Sequence, residues 1–283
     1  MEPLRTDLSG KTCLVTGASA GIGLATARGL SRLGGRVVMA VRNPDKGERA
    51  RRSIVDATGR EVEMTVVDVA SRKSVRAFAA GLAARHRRLD VLVNNAGIWS
   101  ERRRVGPDGV ELVWATNVLG YFHVTELLLP LLEAAGRARV VNVASQLAGG
   151  LDLGDVEFAR RPWSGRSAYA QSKQADRMLT WALARRLAGT GVTANAMHPG
   201  LVATEIFAKG GGPISLAASV YSKLRGRRPE EGADTVVWLA ASPDVEGRSG
   251  LFWIDRQEKQ CRFCDEAGEE ALWALCRRMT GQG

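Results

Sequence analysis

Lys11-Thr12-Cys13-Leu14-Val15-Thr16-Gly17-Ala18-Ser19-Ala20-Gly21-Ile22-Gly23 runs from an apolar segment through spaced glycines into a helical pattern carried by Leu24, Ala27, Leu30 and Leu33 and closed by Gly34-Gly35. This is strand, glycine turn, helix. Glycine lets the backbone come close to a bound group, and the first turn of a helix offers unpaired N–H groups and the positive end of its dipole. A pyrophosphate suits such a corner. Spaced glycines alone carry little information; these follow a strand, precede a helix and stand at the head of a βα series.

Six more apolar runs follow, at residues 36–41, 62–67, 89–93, 138–144, 192–197 and 251–254. Between them lie helical patterns: 71–87, with Val75, Phe78, Ala79 and Leu82 on one stripe; a long one from after Gly109 to about 135; 167–187; and about 229–241. A terminal helix carries Leu272, Leu275, Cys276 and Met279, with Glu269 and Glu270 early and Arg277 and Arg278 late, as the helix dipole prefers. Strands alternating with helices predict an α/β fold: a doubly wound, parallel, seven-stranded sheet with helices on both faces. No internal repeat appears, and the 283 residues are expected to form one domain, 1–283.

Composition narrows the function classes. The net charge of +10 comes mostly from arginine, dispersed in short clusters such as Arg102-Arg103-Arg104, without the interleaved aromatics a nucleic-acid binder gathers on one face. The excess favours an anionic cofactor. Four cysteines are too few for a disulfide framework, and Cys261-x-x-Cys264 has no second Cys or His pair nearby, so no metal site is expected. No apolar run reaches about 18 residues and the start has no signal core, which predicts no membrane span and a cytoplasmic location. Residues 209–228 are glycine-rich and then mixed apolar and basic. They read as a loop and short helix closing over substrate, a lid at about 205–228; a membrane-touching patch is the competing reading.

After the second strand the chain offers Arg42 and no acid before Asp45. An acid here accepts the ribose hydroxyls of NAD, whereas an arginine accommodates the 2′-phosphate of NADP, so NADP (NADPH) is favoured over NAD. Asp68-Val69 end the third strand where an adenine amino group is met; a plain helix cap is the other reading of Asp68. Asn94-Asn95-Ala96-Gly97 brings small and amide residues suited to packing under a dinucleotide. Asn117 lies inside a helix, where a buried asparagine has a hydrogen-bonding task. His198-Pro199-Gly200 forces a sharp exit from the sixth strand.

Acid–base chemistry concentrates in Ser167-Ala168-Tyr169-Ala170-Gln171-Ser172-Lys173, with Ser145 delivered by the strand before it. On a helix Tyr169 and Lys173 share one face at i and i+4. A phenol titrates near ~10 and is a poor base at neutral pH; an adjacent cation stabilises the phenolate. Tyr-x-x-x-Lys arises by chance on many helices, and the surrounding set gives it weight.

Thr16-Gly17-x-x-x-Gly21-x-Gly23, Asn94-Asn95-Ala96-Gly97, Asn117, Ser145, Tyr169-x-x-x-Lys173 and Pro199-Gly200 stand in the order and spacing of the short-chain dehydrogenase/reductase (SDR) family, which the whole chain resembles. Ala40-Val41-Arg42-Asn43, Tyr169-Ala170-Gln171-Ser172-Lys173, Gly191-Val192-Thr193 and the tail around 251–277 are most similar to its retinol-dehydrogenase and WW-domain-oxidoreductase-like branch. Ser19 departs from the asparagine that relatives often carry, and no hydrophobic anchor like that of the animal retinol enzymes is expected. The resemblance implies a Rossmann-type fold and NADP(H)-dependent interconversion of a carbonyl and an alcohol on an apolar small molecule. In it Tyr169 is the general acid/base, Ser145 binds the substrate oxygen, Lys173 tunes Tyr169 and holds the nicotinamide ribose, and Asn117 anchors a water. It further implies cofactor contacts at Gly17, Ser19, Gly21, Ile22, Gly23, Arg42, Asp68, Val69, Asn95, Ala96, Gly97, Tyr169, Lys173, Pro199, Gly200, Val202 and Thr204, and a homodimer or homotetramer built on the long helices. A catalytically silent NADP(H)-sensing protein and an NAD-preferring dehydrogenase are the alternatives.

Overall fold

The computed structural model describes residues 4–202, 212, 220 and 225–281. Its sheet contains β1 (Thr12–Thr16), β2 (Arg36–Val41), β3 (Glu63–Val66), β4 (Val91–Asn94), β5 (Ala138–Val143), β6 (Val192–His198), β7 (Leu251–Ile254) and β8 (Gln257–Lys259). The order is β3-β2-β1-β4-β5-β6-β7-β8, with β1 to β7 parallel. Strand order reverses beside β1, which opens a crevice at the carboxyl ends of β1 and β4. The seven expected strands are present, and β8 is additional. It pairs antiparallel with β7 across Asp255-Arg256, both at positive φ (52° and 59°), as a two-residue hairpin turn requires. Its residues are polar and exposed, so pairing rather than hydrophobicity makes it a strand.

The helices are α1 (Gly21–Arg32), α2 (Pro44–Thr58), α3 (Arg72–Arg85), α4 (Leu112–Glu133), α5 (Gly165–Arg186), α6 (Pro229–Ala241) and α7 (Glu266–Thr280). Helix α2 has no counterpart among the expected elements, because its buried stripe is only Gly47, Ala50 and Ile54 in a charged sequence. It is specified at its ends, by Asn43 accepting the Lys46 N–H at 2.8 Å and by Gly59 at φ +67°.

Alternation along β1 sends Leu14 toward α3, α4 and α5, while Cys13 and Val15 face α1 and α6; all three are fully buried. Both faces of the sheet are therefore covered, and strands read as continuous apolar runs for that reason. Helix α4 is long and apolar enough by length and composition to cross a membrane, yet 78% of its apolar window is buried inside the fold, as a core helix. Residues 115–119 of it form a π turn. Helix α7 lies on α5, through ion pairs of Arg185 with Glu269 and Arg186 with Glu270, and reaches α4 where Trp273 meets Phe122 at 4.8 Å.

Candidate active site

The glycine turn is fastened to the loop after β4 by Thr16. Its hydroxyl accepts the N–H groups of Asn95 (2.9 Å) and Ala96 (3.1 Å), and the Asn95 amide donates to Thr16 O at 2.9 Å. The packing is too close for side chains. A Cβ on Gly17 would lie 2.8 Å from the Ala96 Cα, and Gly17 also sits at φ +68°, where L residues are strained. A Cβ on Gly23 would collide with the Asn95 amide and come within 2.5 Å of the Gly17 carbonyl oxygen. Helix α1 begins at Ala20 with no side-chain cap and no acid in its first turn, so its first N–H groups face the crevice without a competing carboxylate.

Around this corner Gly17, Ser19, Gly21 and Ile22 are partly open, and Arg42 at the end of β2 is exposed, with no hydrogen bond or ion pair among the described residues. Asp68 accepts the Ala70 N–H at 3.0 Å in a tight turn beside half-buried Val69, and it is Ser71, accepting the Ser74 N–H, that caps α3. Gly97 lies against Asn117, its Cβ position 3.5 Å from Oδ1. Pro199 and Gly200 (φ +83°) turn the chain after β6. Val202 is buried next to Ile22, since a side chain on Gly232 would meet both. Thr204 and most of the expected lid at 205–228 fall outside the described residues.

Across the crevice, α5 presents Tyr169, half-buried, and Lys173, 3% exposed. Ser164 caps α5 by accepting the Ser167 N–H. Lys173 Nζ donates to the Val143 carbonyl at 2.9 Å and to Asp176 Oδ2 at 2.8 Å, and stands 5.0 Å and 5.8 Å from the ring centroids of Tyr121 and Tyr169. Ser145 Oγ accepts the Leu147 N–H at 3.1 Å, and its hydroxyl is hydrogen-bonded to the Tyr169 phenol in the sense that favours the phenolate. Asn117, in the π turn, accepts the Ile98 N–H (2.9 Å) and donates to the Ile98 carbonyl (3.1 Å) and Ser172 Oγ (3.0 Å). Its amide thus ties the 95–98 loop to α5.

Burial holds the Tyr169 phenol above its ordinary range, against the pull of Lys173 and Ser145. The lowering expected from the neighbouring lysine is present as a force and is outweighed by desolvation, with the Asp176 charge adding to it. Burial also opposes the Lys173 ammonium, yet Asp176 and the two phenols prevail and raise it. Burial pushes Asp176 up to about 6 despite Lys173.

Four residues at this site were not singled out from the sequence. Trp99 packs its ring 5.4 Å from Tyr169. Tyr121 donates to Val143 O at 3.3 Å beneath Lys173. Asp176 pairs with Lys173, and buried Arg177 donates to the Ser145 carbonyl while its guanidinium lies 3.7 Å from the Phe252 ring centroid. The available signal was helical spacing: Lys173, Asp176 and Arg177 are i, i+3 and i+4. Among the described residues no group of His, Cys, Asp or Glu is placed to hold a metal ion.

Residues 11–211 match the family model for short chain dehydrogenases. The chain is 37% identical to retinol dehydrogenase 14 of Mus musculus, over 97% of this chain and 87% of that protein. It is 38% identical to polyprenol dehydrogenase of the same organism, over 99% and 87%. Among solved structures, an uncharacterized protein from Mycobacterium paratuberculosis superposes with a TM-score of 0.78 at 33% identity, covering 98% of this chain and 95% of the other. L-sorbose reductase from Gluconobacter frateurii, complexed with NADPH and L-sorbose, gives 0.72 at 26% identity, covering 88% and 96%. Glycine turn, tyrosine–lysine pair and full-length similarity agree: the chain belongs to the short-chain dehydrogenase family, in its retinol-dehydrogenase-like branch.

Proposed function

We propose that the protein is an NADP(H)-dependent oxidoreductase that interconverts a carbonyl and an alcohol on an apolar small molecule, with Tyr169 as general acid/base. The observation that carries this reading is the convergence of Tyr169, Ser145 and a buried, ion-paired Lys173 on the crevice beside the glycine turn. The residues present fit an anionic dinucleotide. The start of α1 is free of acid, the turn has no side chains at Gly17, Gly21 and Gly23, and Arg42 stands exposed where a 2′-phosphate would lie.

The cofactor supplies or accepts the hydride. Tyr169 gives its phenolic proton to the substrate oxygen on reduction and takes it back on oxidation. Ser145 hydrogen-bonds that oxygen and steadies its developing charge. Lys173, fixed by Val143 and Asp176, supplies the positive field beside the phenol and a hydrogen-bond donor for the ribose. Trp99 beside Tyr169 offers an apolar wall, and the names of the relatives point to retinol-like or polyprenol-like alcohols. Localisation is read as cytoplasmic. Self-association as a homodimer or homotetramer would use surface that α7 leaves open, because α7 occupies the outer side of α5 and reaches α4.

The test is reduction of apolar aldehydes, retinaldehyde and a polyprenal among them, with NADPH or NADH. Arg42→Asp is expected to raise the KM for NADPH at least about tenfold and to change that for NADH by less than about threefold, a charge-assisted contact being worth roughly 1.5–3 kcal/mol. Equal losses for the two cofactors would reject the phosphate contact.

A further inference from the structure

Behind Lys173 lies a small, partly open chamber between α4, α5, β5 and α7, lined by Tyr121, Thr125, Glu126, Asn142, Asp176 and Trp273 among others, with room for about one water molecule. Asp176 is 1% exposed. Its Oδ2 holds Lys173 at 2.8 Å, and its Oδ1 has no hydrogen-bond partner among the described residues. A buried carboxylate oxygen left so needs a donor, and a chamber with the Thr125 and Asn142 polar groups in its wall can hold the water that supplies one. The pair is thus built, not incidental: one oxygen grips the ammonium, and the other is buried beside a space that can hold a donor for it.

We propose that Asp176 is a positioning residue of the reaction, the fixed counterion that keeps Lys173 charged and aimed at Tyr169. This inference rests on the reading that Tyr169 and Lys173 carry the proton chemistry. A lysine buried to this degree without an anion sheds its proton near neutrality, and the field at the phenol goes with it. The ionisable groups facing Asp176 are Lys173 and Tyr169 on its own helix, Tyr121 and Glu126 from α4 and Cys276 from α7; β5 contributes an amide, Asn142, and the Val143 carbonyl. Among the fully buried groups Lys173 is the cation and Asp176 the carboxylate, Glu126 being only half-buried, so with Asp176 ionised the buried site is near neutral. With the carboxylate removed it carries one net positive charge and gives up its first proton, from Lys173 or Tyr169, at lower pH.

The experiment compares Asp176→Asn, Asp176→Ser and Asp176→Glu with the native protein in NADPH-dependent reduction of retinaldehyde across pH 6 to 10, alongside NADPH binding and an ultraviolet tyrosinate titration. Reduction requires both protons in place, so its alkaline limb should move down by about one pH unit or more in the Asn and Ser variants. The Glu variant, which keeps the charge and has the chamber to absorb its extra methylene, should retain the native limb. Two neutral replacements of different shape keep the result from hanging on one variant's folding. Limbs that coincide in native, Asn and Ser proteins, or that shift equally in the Glu variant, would overturn the inference. An inactive native protein would instead strike the proposed function itself.

Discussion

At Gly23 the whole requirement for a bare backbone can be located in two atoms. Its missing Cβ would overlap the Asn95 side-chain nitrogen and crowd the Gly17 carbonyl, and both neighbours are held, Asn95 by Thr16 and Gly17 by its φ of +68°. Gly23→Ala therefore cannot be absorbed by rotating a flexible end. The expected outcome is a loss of about 1–3 kcal/mol in the unfolding free energy from urea titration, typical of overpacking, together with at least tenfold weaker NADPH binding. Native-like binding in the variant would show that the turn can open. Glycine spacing was legible in the sequence because Gly17 and Gly23 admit no other residue; the partners of Lys173 and Ser145 were not. Asp176 and Arg177 look like solvated charges on a helix until the helix is docked. Docking places one against the ammonium and the other against the Ser145 carbonyl.

Elements were legible in proportion to how much of their sequence is buried. Six of the seven parallel strands announce themselves as apolar runs, since helices cover both faces of the sheet; β3, at its edge, has no fully buried residue and is marked instead by buried Val62 and Val67 at its two ends. Helix α2 was missed because it buries three small or medium residues, and β8 because it buries none. The π turn at residues 115–119 was also hidden: it is a change of hydrogen-bond register, which side-chain periodicity does not encode. Asn117 gives that turn its purpose. Both ends of its amide are spent on Ile98 and Ser172, so Asn117→Ala leaves the Ile98 N–H and carbonyl without partners in a largely buried seam. We expect a cost of about 2–4 kcal/mol in unfolding free energy and a fall in kcat with little change in NADPH affinity. Unchanged stability would mean that the loop after β4 is held to α5 by other contacts.

For the whole molecule, the sheet sets the distance between the two halves of the chemistry. Strands β1 and β4 carry the glycine turn and the loop fastened to it, where we propose the dinucleotide binds; β5 delivers Ser145; and α5, seated on β5 and β6 under α7, holds Tyr169 and Lys173 over the same crevice. Their alignment depends on strand order, which the sequence implied through alternating strands and helices but did not display. The central claim is that this crevice moves a proton through Tyr169 while hydride passes to or from a nicotinamide. The most direct measurement is turnover of the Tyr169→Phe variant, which removes one oxygen from a half-buried ring and leaves the Trp99 contact available. The account predicts a loss of at least about a thousandfold in kcat, within the range for a general acid/base group, with NADPH binding changed less than about threefold. A variant that turns over within tenfold of the native rate would contradict it.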